Sequence, residues 1–318
     1  MKNKCILPIF LTVLLTSCSN NAKPIESKIF CFDTYIEAKL YQGDKDNLKD
    51  IEDIINFYDK LTDNYKARDV NNVFTINQTN EEVEVDKALY DLLTTSVQMS
   101  NFDGSYFNPL CGSLAKKWKE SLDKKEVLPQ EIIDEEVTKI INTHLGFGSG
   151  SKIQRIGDAE IDLGGLAKGY TLDKVQDYLK EKQLTQYLIN GGSSSILLGE
   201  KNTKDGLFNV GLKDVYNAYL KLKNCFVSTS SISEQSAVID GVTYSHIINP
   251  RTGSAISVND AVIVVSNTGM LGDVLSTSMM MNTLEEIKGL ETQFDVKTIV
   301  VKNGNIIYQN EALEVSYH

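Results

Sequence analysis

A glycine pair beside a carboxylate and a lysine is the first feature of this 318-residue chain that suits phosphate binding. Asp162-Leu163-Gly164-Gly165 precedes a helical pattern, and Lys168 falls in the first turn of that helix. Paired glycines expose backbone N–H groups to close approach, and the N-terminus of a helix attracts an anion. The segment predicts a binding site for a nucleotide or phosphate. A tight strand-to-helix turn with Asp162 as its N-cap would explain the same residues without a ligand.

A second glycine pair, Gly191 and Gly192, follows a strand pattern over Tyr187–Asn190. Its bare amides, and the serine hydroxyls that come next, could line the same ligand. Turns of this kind are common between strands, so the pair alone is a weak indication of a site.

His246 is the histidine best suited to proton transfer, because the ordinary pKa of an imidazole lies close to neutrality. It begins the segment 246–253, in which a proline-anchored turn carries Arg251. His144 lies in a polar stretch and His318 is the last residue, so both are poorer candidates. A histidine packed in a strand would give the same pattern, and Arg251 could either reach a phosphate or hold the turn.

Asp273 and Thr277 lie four residues apart in a helical pattern that runs from Leu271 to Met281. At this spacing their oxygens leave one face of the helix. A carboxylate and a hydroxyl so placed suit a hard cation such as Mg²⁺, which binds phosphate oxygens at the same time. A solvated helix face or a local hydrogen bond is the alternative interpretation.

The elements that must position these residues can be read from their periodicity. Alternation predicts a strand over Lys28–Tyr41, and helical spacing predicts helices over residues 48–61, Val85–Met99 and Gly165–Lys182. Short β-rich runs predict further strands at Tyr187–Asn190, Phe208–Leu212, Cys225–Ser228, Val262–Ser266 and a Thr298–Tyr308 hairpin turned at Asn303-Gly304. The mixture predicts an α+β fold in one unit with two lobes.

The charge of the chain limits its partners. Its 43 acidic and 32 basic side chains give a formal charge of −11, and an acidic body repels phosphate backbones, so nucleic acid is excluded as a partner. An anionic small molecule would need local basic groups, backbone N–H donors or a divalent cation to offset this field. Cys31, Cys111 and Cys225 have no metal-type spacing and are interpreted as small buried hydrophobic residues.

The N-terminal residues predict export and a lipid anchor. Residues 1–17 combine two lysines with an apolar run that is too short to span a bilayer, which is typical of a signal peptide. The run ends in Leu15-Thr16-Ser17-Cys18, similar to a bacterial lipobox, so Cys18 is the expected lipidation site and residues 18–27 the tether. An ordinary secretory signal that happens to contain this cysteine is the alternative. Cleavage would leave residues 18–318, of which residues 28–318 are expected to form the folded domain.

Taken in order, the four segments resemble the ApbE-type FAD:protein FMN transferases. That family runs Asp-Leu-Gly-Gly-x-Ala-Lys-Gly, then a Gly-Gly turn, then His-Ile-Ile-Asp-Pro-x-Thr-Gly, then Asp-x-x-x-Thr. This chain offers all four, and the likeness extends upstream through Phe32-Asp33-Thr34, residues 59–78 and residues 104–109. The resemblance implies a two-lobed α+β domain related to the T-fold, with mixed or antiparallel sheets and flanking helices.

The resemblance also implies roles for individual residues. His246 would be the base that takes the proton from an acceptor hydroxyl. A divalent cation, Mg²⁺ with Mn²⁺ and Ca²⁺ as alternatives, would be held by Asp273, Thr277 and the backbone carbonyls of Gly165 and Ser276. The positions expected to contact FAD are Asp162, Lys168, Ile248, Tyr65, Tyr106, Phe107, Asn108, Gly191 and Gly192.

The implied reaction transfers the FMN half of FAD to a Ser or Thr hydroxyl and releases AMP. The implied partner is an acceptor subunit of a membrane electron-transport complex, and FAD is a substrate, not a redox cofactor. Three departures from the family pattern stand at Phe32-Asp33-Thr34, at Asn108 and at Asn249, where the last two replace carboxylates by amides. A Mg²⁺-dependent FAD hydrolase and a lipid-anchored FAD-binding protein without turnover are therefore alternatives.

Overall fold

The computed structural model describes residues 23–192 and 194–317. The predicted signal peptide and Cys18 lie outside the described residues. The described helices are α1 Lys45–Thr62, α2 Val73–Asn77, α3 Lys87–Met99, α4 Gly112–Lys124, α5 Gln130–Asn142, α6 Ala167–Glu181, α7 Gly269–Met279 and α8 Leu284–Phe294. The strands are β1 Ile25–Cys31, β2 Thr34–Leu40, β3 Glu82–Glu84, β4 His144–Gly148, β5 Lys152–Ile156, β6 Tyr187–Gly191, β7 Ser195–Leu198, β8 Phe208–Gly211, β9 Ala218–Leu222, β10 Cys225–Ser231, β11 Ser236–Ile239, β12 Val242–Ser245, β13 Ala261–Ser266, β14 Lys297–Lys302, β15 Asn305–Gln309 and β16 Val315–Tyr317.

One large sheet organises the molecule. It has eight strands in the order β1-β2-β6-β7-β10-β13-β14-β15, and each neighbouring pair is antiparallel. The α+β class predicted from the sequence is therefore confirmed, and this sheet takes the antiparallel form. The central strands β10 and β13 are buried almost throughout, because both of their faces are covered.

Three of the hydrophobic cores lie against this sheet. The first joins α1 and α6 to β2 and β6, and the second joins α7 and α8 to β13 and β14. The third lies between the large sheet and the three-stranded sheet β16-β9-β8. Helices on one side and a small sheet on the other thus hold the middle strands β7, β10 and β13.

A fourth core belongs to the helix-rich part of the chain. Its members come from α1 to α6, the three-stranded sheet β3-β5-β4 and the segment 159–167. Trp118 of α4 is almost fully buried there, stacks on Tyr244 of β12 and donates its indole N–H to the carbonyl of Gly253 at 2.8 Å. These contacts attach the hairpin β11–β12 and the turn after His246 to the helical part.

Three local expectations were wrong. The single strand expected over Lys28–Tyr41 is a hairpin, β1–β2, whose turn residues Phe32 and Asp33 both have positive φ angles, 52° and 55°. Strand β1 begins at Ile25, inside the segment interpreted as a tether. Asp162 was considered as the N-cap of a strand-to-helix turn, but residues 157–163 are irregular and α6 has its N-cap at Leu166. Among the residues described, no helix is long and apolar enough to cross a membrane.

Candidate active site

A cleft of about 420 Å³ brings together most of the residues that the sequence singles out. It lies between the large sheet and the helix-rich part, and residues of α6 and α7 contribute to its lining. The predicted residues that line it are Tyr65, Tyr106, Phe107, Asn108, Asp162, Gly165, Lys168, His246, Ile248, Asp273, Ser276 and Thr277. A second cavity of about 440 Å³ continues from it and shares Asp33, Tyr65, Lys119, Asp162, Gly164 and Lys168 with it.

The carboxylate of Asp273 is buried at the centre of this cleft. It accepts hydrogen bonds from the hydroxyls of Ser195 (2.8 Å) and Ser228 (2.7 Å) and from the backbone N–H of Gly169 (2.7 Å). Burial raises its pKa above the ordinary value, and nearby Lys168 opposes that rise. Hydrogen bonds from neutral donors leave its negative charge only partly compensated, which is the environment that a cation would complete.

Two glycines allow α6 and α7 to approach closely enough to build this arrangement. A Cβ on Gly169 would lie 2.1 Å from the carbonyl oxygen of Gly269, and one on Gly269 would lie 2.4 Å from the carbonyl oxygen of Gly169. Such distances exclude any side chain at either position without moving a helix. The contact brings the N–H of Gly169 onto the carboxylate of Asp273. Gly169 therefore serves as a packing residue of the site.

The oxygen atoms around Asp273 fit a hard divalent cation. Thr277 and Ser276 lie on the same turn of α7, and the Ser230 hydroxyl lies 3.0 Å from the Ser276 hydroxyl and 3.3 Å from that of Thr277. Gly165 faces this turn, because a Cβ placed on it would lie 3.9 Å from the Thr277 hydroxyl. Carboxylate, hydroxyl and carbonyl oxygens are the ligands that Mg²⁺ and Ca²⁺ prefer. In the described part of the chain no three His, Cys, Asp or Glu side chains form a metal cluster, so a cation here would depend on this mixed oxygen set.

The ring of His246 is oriented by the residue that precedes β11. Its Nδ1 lies 3.1 Å from the carbonyl oxygen of Gln235, and its backbone N–H donates to the same oxygen at 3.0 Å. A carbonyl can only accept, so the neutral imidazole carries its proton on Nδ1 and leaves the Nε2 lone pair available. Burial is the largest influence on the pKa of His246 and lowers it, which favours the neutral form that acts as a base.

Glu234 and Lys213 complete the surroundings of this histidine, and sequence reasoning missed both. Glu234 Oε2 lies 3.9 Å from His246 Nε2, and Lys213 Nζ lies 2.8 Å from Glu234 Oε1. Glu234 favours the protonated histidine, whereas Lys168 and Lys213 oppose it. Glu234 lies twelve residues before His246 in a serine-rich stretch. The sequence marks it only as an acidic residue two positions before a strand.

The other wall of the cleft carries aromatic and basic side chains. Lys116 and Lys119 lie over the ring of Tyr65 at 5.2 and 5.6 Å, and burial raises the pKa of this tyrosine. Asp162 accepts the N–H of Gly164 at 2.6 Å, which closes the turn before α6. Lys168, in the first turn of α6, lines both cavities, so an ammonium stands where they join.

The two amides that replace family carboxylates act as turn acceptors. Asn108 accepts the N–H of Leu110 at 2.9 Å, and Asn249 accepts the N–H of Arg251 at 2.9 Å. A carboxylate oxygen would make the same bonds, so these replacements leave the local backbone unchanged. Arg251 donates to the carbonyl of Ser105 at 2.9 Å and lies over the ring of Tyr106, so it holds the loop at the edge of the cleft.

Gly191 and Gly192 do not line the cleft. Gly191 ends β6, where it pairs with Ser195, and a Cβ on Gly192 would lie 2.4 Å from the Thr34 hydroxyl. Their role is therefore to turn the chain tightly, which places Ser194 and Ser195 in the cleft instead. Cys111 also lines it as a free thiol, and burial raises its pKa to about 12, so it stays protonated.

The fold and the cleft define an α+β protein in which a buried carboxylate, hydroxyls and an oriented histidine surround a space of nucleotide size. The sequence model of the ApbE family matches residues 32–300, and the chain belongs to this family. The FAD:protein FMN transferase of Klebsiella pneumoniae (strain 342) is 29% identical over 86% of this chain and 87% of its own length. The FAD:protein FMN transferase of Treponema pallidum is 27% identical over 67% of this chain and 64% of its own length.

Solved structures show the same fold. An ApbE protein from Thermotoga maritima superposes with a TM-score of 0.79 at 23% identity, covering 91% of this chain and 97% of the other. The flavin transferase ApbE from Vibrio cholerae gives 0.70 at 19% identity, covering 92% and 97%. The fold expected from the resemblance is therefore confirmed.

Proposed function

We propose that this protein transfers the FMN half of FAD to a Ser or Thr hydroxyl of an acceptor protein and releases AMP. The orientation of His246 carries the proposal, because the Gln235 carbonyl holds Nδ1 and leaves Nε2 as the basic nitrogen of a residue that lines the same cleft as Asp273 and Thr277. The names of the Klebsiella and Treponema relatives support the same reaction. The two joined cavities also give room for both nucleotide halves of FAD.

In this reaction His246 Nε2 accepts the proton of the acceptor hydroxyl. The oxygen of that hydroxyl forms a bond to the phosphorus of the FMN half, and the bond from that phosphorus to the AMP oxygen breaks. Glu234 stabilises the imidazolium that results, and Lys168 stands where both cavities meet, close to where phosphate charge would lie. When bound at Asp273 and Thr277, a divalent cation, Mg²⁺ by preference, would neutralise the pyrophosphate.

The experiment supplies FAD and Mg²⁺ with a purified acceptor domain and follows acceptor mass and AMP together. We expect one FMN gained per acceptor, loss of transfer in His246→Ala, and unchanged transfer in His144→Ala, which alters an exposed histidine in β4. Transfer that persists in His246→Ala would contradict the role given to this base. Asp273→Ala and EDTA should abolish transfer as well.

An FAD hydrolase is the second candidate, because the side chain of His246 is 35% exposed and a water molecule can reach it. FMN and AMP formed without acceptor modification would identify this activity. The binding protein without turnover is less favoured, since Asn108 and Asn249, which suggested it, only accept backbone hydrogen bonds. FAD that stays intact with Mg²⁺ and acceptor present would nevertheless favour it.

The N-terminal segment supports a proposal about where the protein acts. We infer that the chain is exported, cleaved before Cys18 and held by lipid on the outer side of a bacterial membrane, where the acceptor would be a subunit of a membrane electron-transport complex. The lipobox-like residues 15–18 support this proposal. Metabolic labelling with a fatty acid tests it, and equal labelling of wild type and Cys18→Ser would contradict it.

A further inference from the structure

The hairpin β11–β12 carries the catalytic histidine at its base. Gln235 comes directly before β11, and His246 directly after β12. The tip is a two-residue turn, Asp240-Gly241, in which both residues have positive φ, 50° and 79°. Turns of this type fix the register of the strands that they join. The geometry of the hairpin therefore determines where each backbone group points.

One edge of this hairpin is open. In the observed register Ala237 opposes Tyr244 and Val238 opposes Thr243. The hydrogen bond from the His246 N–H to the Gln235 carbonyl makes residues 235 and 246 a hydrogen-bonded pair of the ladder. In an antiparallel ladder such pairs alternate with non-hydrogen-bonded pairs, so Ser236 and Val238 belong to non-hydrogen-bonded pairs. The N–H and C=O groups of Ser236 and Val238 thus point away from β12. Within residues 23–192 and 194–317 they make no backbone–backbone hydrogen bond on that side.

One face of the hairpin, and the other edge at Ser245, are already in use. On β12 the N–H of Ser245 donates to the carbonyl of Ala255 at 2.8 Å. The face that carries Ala237 packs toward α4, where Tyr244 stacks on Trp118. In contrast, Ser236 is exposed and Val238 is 67% exposed. The open edge of β11 therefore carries none of the contacts that attach the hairpin to the rest of the protein.

We propose that an extended segment of the acceptor protein pairs with the open edge of β11 and so brings its hydroxyl to His246. The acceptor protein is the expected occupant because the open edge is continuous with the cleft. Glu234 and Gln235 line the cleft, and β11 begins at the next residue. A strand added to this edge would lie about 4.8 Å from β11 and, continued past Ser236, would reach the cleft beside His246. Backbone pairing of this kind supplies affinity without requiring a particular side chain.

The proposal rests on the flavin transfer proposed above, and matched variants test it. Val238→Pro removes an outward N–H from the open edge, whereas Thr243→Pro removes the corresponding N–H from β12. We expect the KM for the acceptor domain to rise at least tenfold in Val238→Pro, with the KM for FAD unchanged, and to change less than twofold in Thr243→Pro. An acceptor KM within twofold of wild type in Val238→Pro, or an equal rise in both variants, would overturn the proposal.

Hydrogen exchange on the wild-type protein gives a second test that needs no substitution. With FAD present, addition of the acceptor domain should slow exchange of the Ser236 and Val238 amides and leave that of Thr243 unchanged. Protection elsewhere with none on β11 would refute the proposal. This measurement also separates the docking proposal from the proposed flavin transfer. If exchange of the Ser236 and Val238 amides slows but no FMN is transferred, the docking proposal stands and only the proposed reaction is contradicted.

Discussion

The contact between α6 and α7 makes Gly169 the most demanding position of the site. An Ala side chain there would place Cβ 2.1 Å from the Gly269 carbonyl oxygen and 2.8 Å from Cγ of Asp273. The helices would have to separate by roughly 1 Å, and overpacking of this kind costs up to about 3 kcal/mol. The higher helix propensity of Ala returns about 1 kcal/mol, so we expect Gly169→Ala to lower the free energy of unfolding by about 2 kcal/mol.

Gly289→Ala is the matched control, because this glycine lies on an exposed face of α8 and a Cβ there would meet nothing within 4 Å. It should raise stability by about 0.5–1 kcal/mol through helix propensity alone. Urea unfolding of the full chain measures both variants. Flavin transfer should also fall in Gly169→Ala at temperatures where the variant is folded, because the added methyl displaces the Asp273 carboxylate. A Gly169→Ala variant as stable as wild type, or with full metal-dependent activity, would refute the reasoning.

Three further predictions concern the charged groups around the cleft. Glu234→Gln removes an influence that raises the pKa of His246, so this pKa should fall and the acid limb of the kcat/KM profile should move to lower pH. A proton NMR titration of the imidazole ring measures this pKa, and a rise in it would contradict the prediction. Asp173 accepts the N–H groups that begin α7, and burial raises its pKa from 3.8 to about 6 in the folded state. Stability should therefore fall by about 2 kcal/mol as pH rises from 4 to 6, and this dependence should vanish in Asp173→Asn, which urea unfolding at each pH measures. Arg251→Met frees the loop at Tyr106 and should raise the KM for FAD several-fold with little change in kcat, whereas a fall in kcat alone would assign Arg251 to the chemistry.

The sequence predicted the composition of the cleft better than its internal contacts. Asp273 and Thr277 were recognised because their spacing is local, whereas the hydroxyls of Ser195 and Ser228 come from strands 78 and 45 residues away in the chain. No periodicity links such positions, since their proximity is created by the order of strands in the sheet. For the same reason Glu234 and Lys213 could not be paired with His246 from the sequence.

The elements that sequence patterns missed have a physical explanation. The turn at Phe32 and Asp33 lacks the glycine or asparagine that usually marks positive φ, so β1 and β2 looked like one strand. Its conformation is held from outside, because the Phe32 N–H donates to Asp59 at 2.6 Å. Helices α4 and α5 begin at Gly112 and Gln130 without a side-chain cap, which removed the usual start signal.

The order of strands in the large sheet also governs when the protein can first hold a nucleotide. Cleft residues range from Asp33, at the tip of the first hairpin, to Thr277, in the helix that follows β13. The strand β10, central to the site, pairs with β7 and with β13, so its serines are not fixed until β13 is in place. A chain that ends before Thr277 therefore lacks part of the binding cleft, and the cleft is complete only after α7 has packed against the large sheet.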